Sequence, residues 1–238
     1  MKRIIPNVLY QGNYAVKGRK FDKHKYVGDL LNTVKLFNEL EVDELIISNI
    51  GDTIDFELLD KVAEQTFMPL TYAGNIDSLN IAKKVIKSGF EKVALNSLYF
   101  SDLDEMNRII DTLGSQSVSL VINVQRDFFG RYYVAYNKLR TRVKDLEHIL
   151  DVLSRIDVGD MIFNSVSYEG IDGGPDVKLV KMLDSRSFKA LIHYSGGVNH
   201  QTDFEIIRST SLDGVVCGRA FVFKGKHDAV LINKPKFS

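Results

Sequence analysis

Tyr72-Ala73-Gly74-Asn75-Ile76-Asp77 recurs as Tyr194-Ser195-Gly196-Gly197-Val198-Asn199, 122 residues further along the chain. The offset holds through a stretch with helical spacing and into Glu91-Lys-Val-Ala-Leu-Asn-Ser97, which answers to Asp213-Gly-Val-Val-Cys-Gly-Arg219. Each copy reads as strand, glycine turn, helix, strand, polar turn. A repeat of half the chain length predicts a duplicated (β/α)4 unit, and two such units close into an eight-stranded barrel. Glycine turns that feed helix N-termini present backbone N–H groups to an anion, so the repeat also predicts two pseudo-symmetric phosphate sites. A ligand carrying phosphate at both ends suits such a pair.

Outward from the repeat, eight β-rich runs fit this plan: Arg3–Leu9, Glu44–Asn49, Met68–Ala73, Lys92–Asn96, Val118–Val124, Asp160–Ser165, Ala190–Ser195 and Asp213–Cys217. Most are continuous apolar runs, as parallel strands buried on both faces require. Helical spacing lies between them. Leu30, Val34, Phe37 and Leu40 share one face, and so do Leu146, Leu150 and Leu153. Leu103, Met106, Ile110 and Leu113 do likewise, with Ser101 placed to cap that helix and Gly114 to stop it. The connection Arg126–Lys138 contains Asp-Phe-Phe-Gly-Arg-Tyr-Tyr-Val and predicts a β-hairpin projecting after strand five. After Phe223 the chain is too short and proline-bound for a full eighth helix. The expectation is an α/β fold: a single (β/α)8 TIM barrel over residues 1–238, built from two (β/α)4 half-barrels, with a shortened C-terminal helix.

Composition permits this and narrows the partners. A chain of 238 residues matches one such barrel and buries a core without staples. Lysine plus arginine equals aspartate plus glutamate at 31 each, which favours neither nucleic acid nor an anionic membrane. The single cysteine, Cys217, stands in an apolar strand and reads as a buried small hydrophobe rather than a nucleophile. With no disulfide available and neither a membrane span nor a signal peptide's apolar region, a cytoplasmic protein is expected.

Barrel enzymes keep their chemistry at the C-terminal ends of the strands. There the chain offers Leu9, Gln11, Asn49, Gly74, Asn75, Asn96, Ser97, Asn123, Gln125, Asn164, Glu169, Gly196, Gly197, Gly218 and Arg219. Amides dominate, and amides orient substrates without exchanging protons near neutral pH. The asparagines serve either to hold strand ends or to bind a ligand. Glu169 is the candidate proton carrier, with Asp127 and Asp172 further out on loops. The five histidines lack metal-ligand spacing, and no metal or cofactor is implied. His193 and His200 flank the second glycine turn and read as locally hydrogen-bonded residues.

Arg3-Ile-Ile, Val16-Lys17-Gly18, Gly28-Asp29, Val42-Asp43-Glu44-Leu45, Gly114-Ser115-Gln116-Ser117-Val118 and Ser195-Gly196-Gly197 are together similar to the HisF family. HisF is the cyclase subunit of imidazole glycerol phosphate synthase, and the resemblance runs nearly gap-free from residue 3 to about 223. It implies a glutaminase docked on the N-terminal barrel face, ammonia passing through the barrel, and a doubly phosphorylated substrate at the other face. Ring closure in that family uses two aspartates, at the ends of strands one and five. The matching positions here are Leu9 and Asn123. Asn49 replaces the usual aspartate of strand two, Ala73-Gly74-Asn75 replaces a glycine triplet, and Arg219 stands where the family has a small residue.

The opposite end keeps the pattern. The family's ring of alternating charges around the ammonia inlet matches Arg3, Glu44, Lys92 and Asp160, and Thr71 matches a polar residue of the passage. Kept inlet and lost acid–base pair together resemble the divergent HisF-like paralogues associated with surface-polysaccharide and amidino-sugar genes, as do Lys25-Tyr26-Val27-Gly28-Asp29 and Leu9 itself. The resemblance therefore implies a barrel subunit of a glutamine-dependent amidotransferase complex, fed by a HisH-like glutaminase, with a sugar amidotransferase as a further partner. Gly74, Asn75, Ser97, Gly196, Gly197, Gly218 and Arg219 would hold a phosphate-bearing ligand or simply stabilise the upper rim. One alternative is the cyclase proper, a lyase of histidine biosynthesis, with Asn123 and Glu169 standing in for the missing carboxylates. The other is a non-catalytic scaffold whose short C-terminal segment leaves apolar barrel surface uncovered for a partner.

Overall fold

In the computed structural model, all residues are described except 1, 20–21, 137–140, 145, 225–228 and 236–238. Eight parallel strands close into a barrel: β1 (Arg3–Gln11), β2 (Leu45–Asn49), β3 (Leu70–Ala73), β4 (Lys92–Leu95), β5 (Val118–Arg126), β6 (Asp160–Ser165), β7 (Leu191–Ser195) and β8 (Gly214–Cys217). The helices between them are α1 (Leu30–Glu39), α2 (Phe56–Ala63), α3 (Leu79–Lys87), α4 (Leu103–Leu113), α5 (Leu146–Leu153), α6 (Val177–Asp184) and α7 (Gln201–Arg208). The eight strands and the (β/α)8 architecture expected from the repeat are thus those observed.

Closure follows from the register. Ser119 leads through Ala94, Ala73 and Ser48 to Leu9. Two residues further up the same strand, Val121 leads the other way through Ile162, His193 and Gly214 to Arg3. From Leu9 down to Arg3 is six residues, and with those two the register shifts by eight in one circuit, the shear of this barrel class. Such a shear stacks the interior side chains in layers of four, drawn alternately from odd and even strands.

Side chains alternate across a strand, and the core separates accordingly. Leu70, Tyr72, Val93, Val118, Leu120, Met161, Ile192 and Tyr194 belong to the large core between sheet and helices. Their neighbours point into the barrel, where Ile5, Ile46, Ile162 and Val216 form a second cluster of their own. From the bottom, the layers read Glu44, Lys92, Asp160 and Gly214; then Ile5, Thr71, Ser119 and His193; then Ile46, Ala94, Ile162 and Val216. Leu9 and Asn123 are the topmost inward positions on β1 and β5.

Both half-barrels carry the same elaboration. β1 pairs antiparallel with Tyr14–Arg19, which pairs with Asp22–Asp29. β5 pairs antiparallel with Tyr132–Tyr136, which pairs with Thr141–Lys144. The second hairpin is the expected one, extended by a third strand. The first hairpin escapes a sequence reading because its strands carry lysines instead of apolar alternation; its exposed Tyr14 and Tyr26 rings pack edge to face at 5.6 Å.

Two expectations at helix ends need correction. Asp102, not Ser101, caps α4, its carboxylate accepting from the Glu105 N–H at 2.9 Å. Ser101 instead ends a separate one-turn helix, Leu98–Ser101, and its hydroxyl donates to the Ser97 carbonyl. Gly114 stops α4 with φ of 84° as expected. After the one-turn helix Arg219–Val222 the chain does not leave the barrel bare: Phe223–Lys224 pairs with Ala229–Val230, Leu231 and Asn233 bond back to Val222 and Phe221, and Ile232 packs on the core.

Candidate functional site

At the bottom of the barrel the four charges meet. The Lys92 ammonium lies 2.8 Å from Asp160 Oδ2 and 3.5 Å from Glu44 Oε1, and the Arg3 guanidinium lies 3.7 Å from Glu44 Oε2. Thr71 donates its hydroxyl to Glu44 Oε1 at 2.8 Å, which ties the floor to the layer above. Burial works against the charge on Lys92, yet Asp160 and Glu44 outweigh it and hold its pKa above the ordinary lysine value. Arg3 is 48 % exposed and faces outward, while Glu44 and Asp160 are buried. The result is a plug of alternating charge with one solvent-facing cation.

The mouth is different. Leu9 and Asn123 stand on β1 and β5, opposite strands of the barrel, in its top interior layer. Asn164 donates its amide to Asn123 Oδ1 at 3.0 Å. Asn49 and Asn96 are spent on the framework: Asn49 Nδ2 donates to the Thr53 carbonyl and to the Tyr72 hydroxyl, and Asn96 Nδ2 donates to the Val121 carbonyl. For these two the strand-holding role is the observed one.

A buried ion pair stands at the mouth instead. Glu169, just after the 3-10 turn Val166–Tyr168, accepts from the Lys17 ammonium at 2.7 Å. Lys17 comes from the hairpin strand Tyr14–Arg19, and its side chain is only 3 % exposed. It lies over Gly218, where an added Cβ would stand 2.8 Å from Lys17 Nζ. Lys17 is the site residue missing from the list read off the sequence. Its signal was present in Val16-Lys17-Gly18, but the hairpin that carries it inward was not. Asp127 and Asp172 are engaged elsewhere, with Arg131 and His200 respectively. Cys217 is buried and its thiol is pushed up to about 12 by that burial, which removes it as a nucleophile.

The two glycine turns match in detail. Gly74 and Asn75 have φ of 114° and 55°; Gly196 and Gly197 have 116° and 78°. Successive residues of this kind form a concave backbone suited to an anion. A Cβ on Gly74 would meet the Asn49 carbonyl, and one on Gly196 would meet the Ser165 carbonyl 2.7 Å away. The turns do not open directly into helices, however: α3 and α7 begin only at Leu79 and Gln201, and Asp203 caps the latter by accepting from the Asn199 and His200 N–H groups. Ser97 is exposed at the start of its one-turn helix and makes no capping bond. The Arg219 guanidinium lies 5.6 Å over the Phe223 ring.

His200 bonds to Asp172 at 2.7 Å, as the local reading expected. His193 overturns its half of that reading. Its ring is 1 % exposed inside the barrel, and neither ring nitrogen has a hydrogen-bond partner among the described residues. Burial pushes its pKa down against the pull of Asp160, Glu44 and Asp213, so the imidazole is held neutral. Among the described residues, no three His, Cys, Asp or Glu side chains are grouped to hold a metal ion, and no helix is long and apolar enough to cross a membrane.

A (β/α)8 barrel of two matching halves, plugged below by charge and lined above by amides, defines the class of this chain. Residues 3–228 match the family described as histidine biosynthesis protein, and the chain belongs to that family. A Pseudomonas aeruginosa protein provisionally named imidazole glycerol phosphate synthase subunit hisF2 is 35 % identical over 98 % of this chain and 96 % of its own. A Vibrio vulnificus protein provisionally named subunit hisF3 is 33 % identical over 98 % and 92 %. The Shigella flexneri imidazole glycerol phosphate synthase subunit HisF is 29 % identical over 92 % and 90 %.

Proposed function

We propose that this chain is the cytoplasmic barrel subunit of a glutamine-dependent amidotransferase complex. A HisH-like glutaminase docks on the N-terminal face around Arg3, and its ammonia passes the Arg3–Glu44–Lys92–Asp160 floor and rises through the barrel. At the mouth it aminates or amidinates a phosphate-bearing sugar substrate, with a sugar amidotransferase as the further partner. Gly74, Asn75, Ser97, Gly196, Gly197, Gly218 and Arg219 bind that ligand's phosphates. One observation carries the reading. The floor keeps a four-charge plug around Lys92, while Leu9 and Asn123 leave the top layer without a titratable pair. Buried ion clusters are weak stabilisers, so a plug kept on the barrel axis is better explained by gating.

The deciding experiment mixes the purified barrel with a HisH-like glutaminase and follows glutamine hydrolysis. Stimulation by the wild type, with ammonia leaking to bulk solvent in Lys92→Ala, supports delivery. Absence of stimulation by the wild type overturns it.

A second reading is ring closure itself, the lyase activity of HisF. The Lys17–Glu169 pair favours it, because it places a carboxylate and an ammonium at the mouth beside Gly218. Turnover of the family's doubly phosphorylated substrate with added ammonium by the unmodified chain would establish it.

A further inference from the structure

The layer directly above the charged floor consists of Ile5, Thr71, Ser119 and His193. Thr71 is engaged with Glu44. The Ser119 hydroxyl and both ring nitrogens of His193 are sealed from solvent and lack hydrogen-bond partners among the described residues. Both side chains point inward, since their strand neighbours Val118, Leu120, Ile192 and Tyr194 all belong to the outer core. Ser119 and His193 are each 1 % exposed. Native interiors leave buried polar atoms unpaired only for a reason, and here three of them share one layer of one barrel. Above them lies the apolar belt of Ile46, Ile162 and Val216, joined in register by buried Ala94; below them lies Lys92.

We infer that Thr71, Ser119 and His193 form a polar chamber that holds one molecule of neutral ammonia between the charged floor and the apolar belt. This rests on the ammonia-delivery reading and adds to it a binding station. The chemistry fits the ligand. Neutral imidazole offers one acceptor nitrogen and one N–H, and a serine hydroxyl both donates and accepts. Ammonia has three N–H donors and one lone pair, so it can donate to Ser119 Oγ and meet the one imidazole nitrogen that faces it, donating to that nitrogen or accepting its N–H according to the tautomer. The groups facing His193 are the carboxylates of Asp160, Glu44 and Asp213 and the Lys92 ammonium; burial, aided by Lys92, outweighs the three carboxylates and favours the uncharged ring. An uncharged ring gives up no proton to ammonia, so the cargo stays neutral and able to cross the belt above.

The test is ring-nitrogen NMR of histidine-labelled protein titrated with ammonium chloride at alkaline pH, against sodium chloride as control. His193→Gln assigns the resonances, and Ser119→Ala, a smaller change, tests the hydroxyl. The chamber predicts a saturable movement of the His193 signals with ammonium chloride alone, weakened about two- to tenfold by Ser119→Ala, the loss of one hydrogen bond. An identical response to both salts, or none, overturns the chamber and leaves it to water. Glutaminase stimulation is read separately. Stimulation without the NMR response refutes the chamber but not delivery, whereas the NMR response without stimulation refutes delivery and leaves the ammonia site standing.

Discussion

Leu9 and Asn123 hold equivalent places in the two halves of the barrel. Leu9 is where β1 begins to pair with its hairpin, opposite Val16, and Asn123 is where β5 begins to pair with its own, opposite Ala135. They are therefore the last interior side chains before each strand leaves the barrel, and they face one another across its mouth. A pair of carboxylates there would be positioned for acid–base chemistry. A leucine and an asparagine are not able to exchange a proton.

Restoring the pair tests what was lost. Each well-placed acid or base contributes on the order of 10²–10⁴ in rate. With added ammonium and the doubly phosphorylated cyclase substrate, we expect no ring closure by the wild type and measurable closure by the Leu9→Asp, Asn123→Asp double variant. Asn164 already donates to Asn123 Oδ1, so a carboxylate at 123 is met by a donor. Steady-state absorbance assays with both proteins decide it.

Floor variants separate gating from folding. Lys92→Ala leaves the buried Asp160 and Glu44 carboxylates without their ammonium, and breaking such a pair costs about 3–5 kcal/mol. Arg3→Ala removes a half-exposed cation at 3.7 Å and is expected to cost less than about 1 kcal/mol. Urea unfolding should show that difference, while Arg3→Ala should still weaken glutaminase stimulation.

Stability should vary with pH at both edges of the neutral range. The folded His193 pKa lies below its ordinary value of 6.5, so the unfolded chain takes up the proton first. The resulting stability is complete above 6.5 and is lost as pH falls, with a slope of at most about 1.4 kcal/mol per unit. The folded Lys92 pKa lies above 10.5, so its contribution is complete below that value and is lost as pH rises through the folded pKa. Denaturant midpoints across pH should show the acid loss in the wild type and a flatter profile in His193→Gln.

At the mouth, Glu169→Ala strands the buried Lys17 ammonium and should cost about 3–5 kcal/mol; Glu169→Gln, which keeps an acceptor, should cost less. Under the delivery reading Glu169→Gln still stimulates the glutaminase. Should ring closure be the true activity, the same variant would abolish turnover.

Gly74→Ala and Gly196→Ala each place a methyl group against a carbonyl at φ near 115°. A residue forced into such backbone costs about 1–3 kcal/mol before any contact is counted. Thermal melts should show comparable losses at the two sites, because the turns are equivalent in the repeat.

The 122-residue repeat and the continuous apolar runs carried the barrel from sequence to structure, since parallel strands and their helices announce themselves through local periodicity. The floor charges were legible through the family resemblance for the same reason: each stands beside a recognisable strand. What sequence could not supply depends on register between distant strands. Only the shear of eight brings Ser119 and His193 into one layer above Lys92, and only the hairpin Tyr14–Arg19 carries Lys17 across the mouth to Glu169, 152 residues away. The identity of the strands is a property of short segments. The chemistry inside them is decided by how the closed sheet stacks side chains that the chain itself keeps far apart.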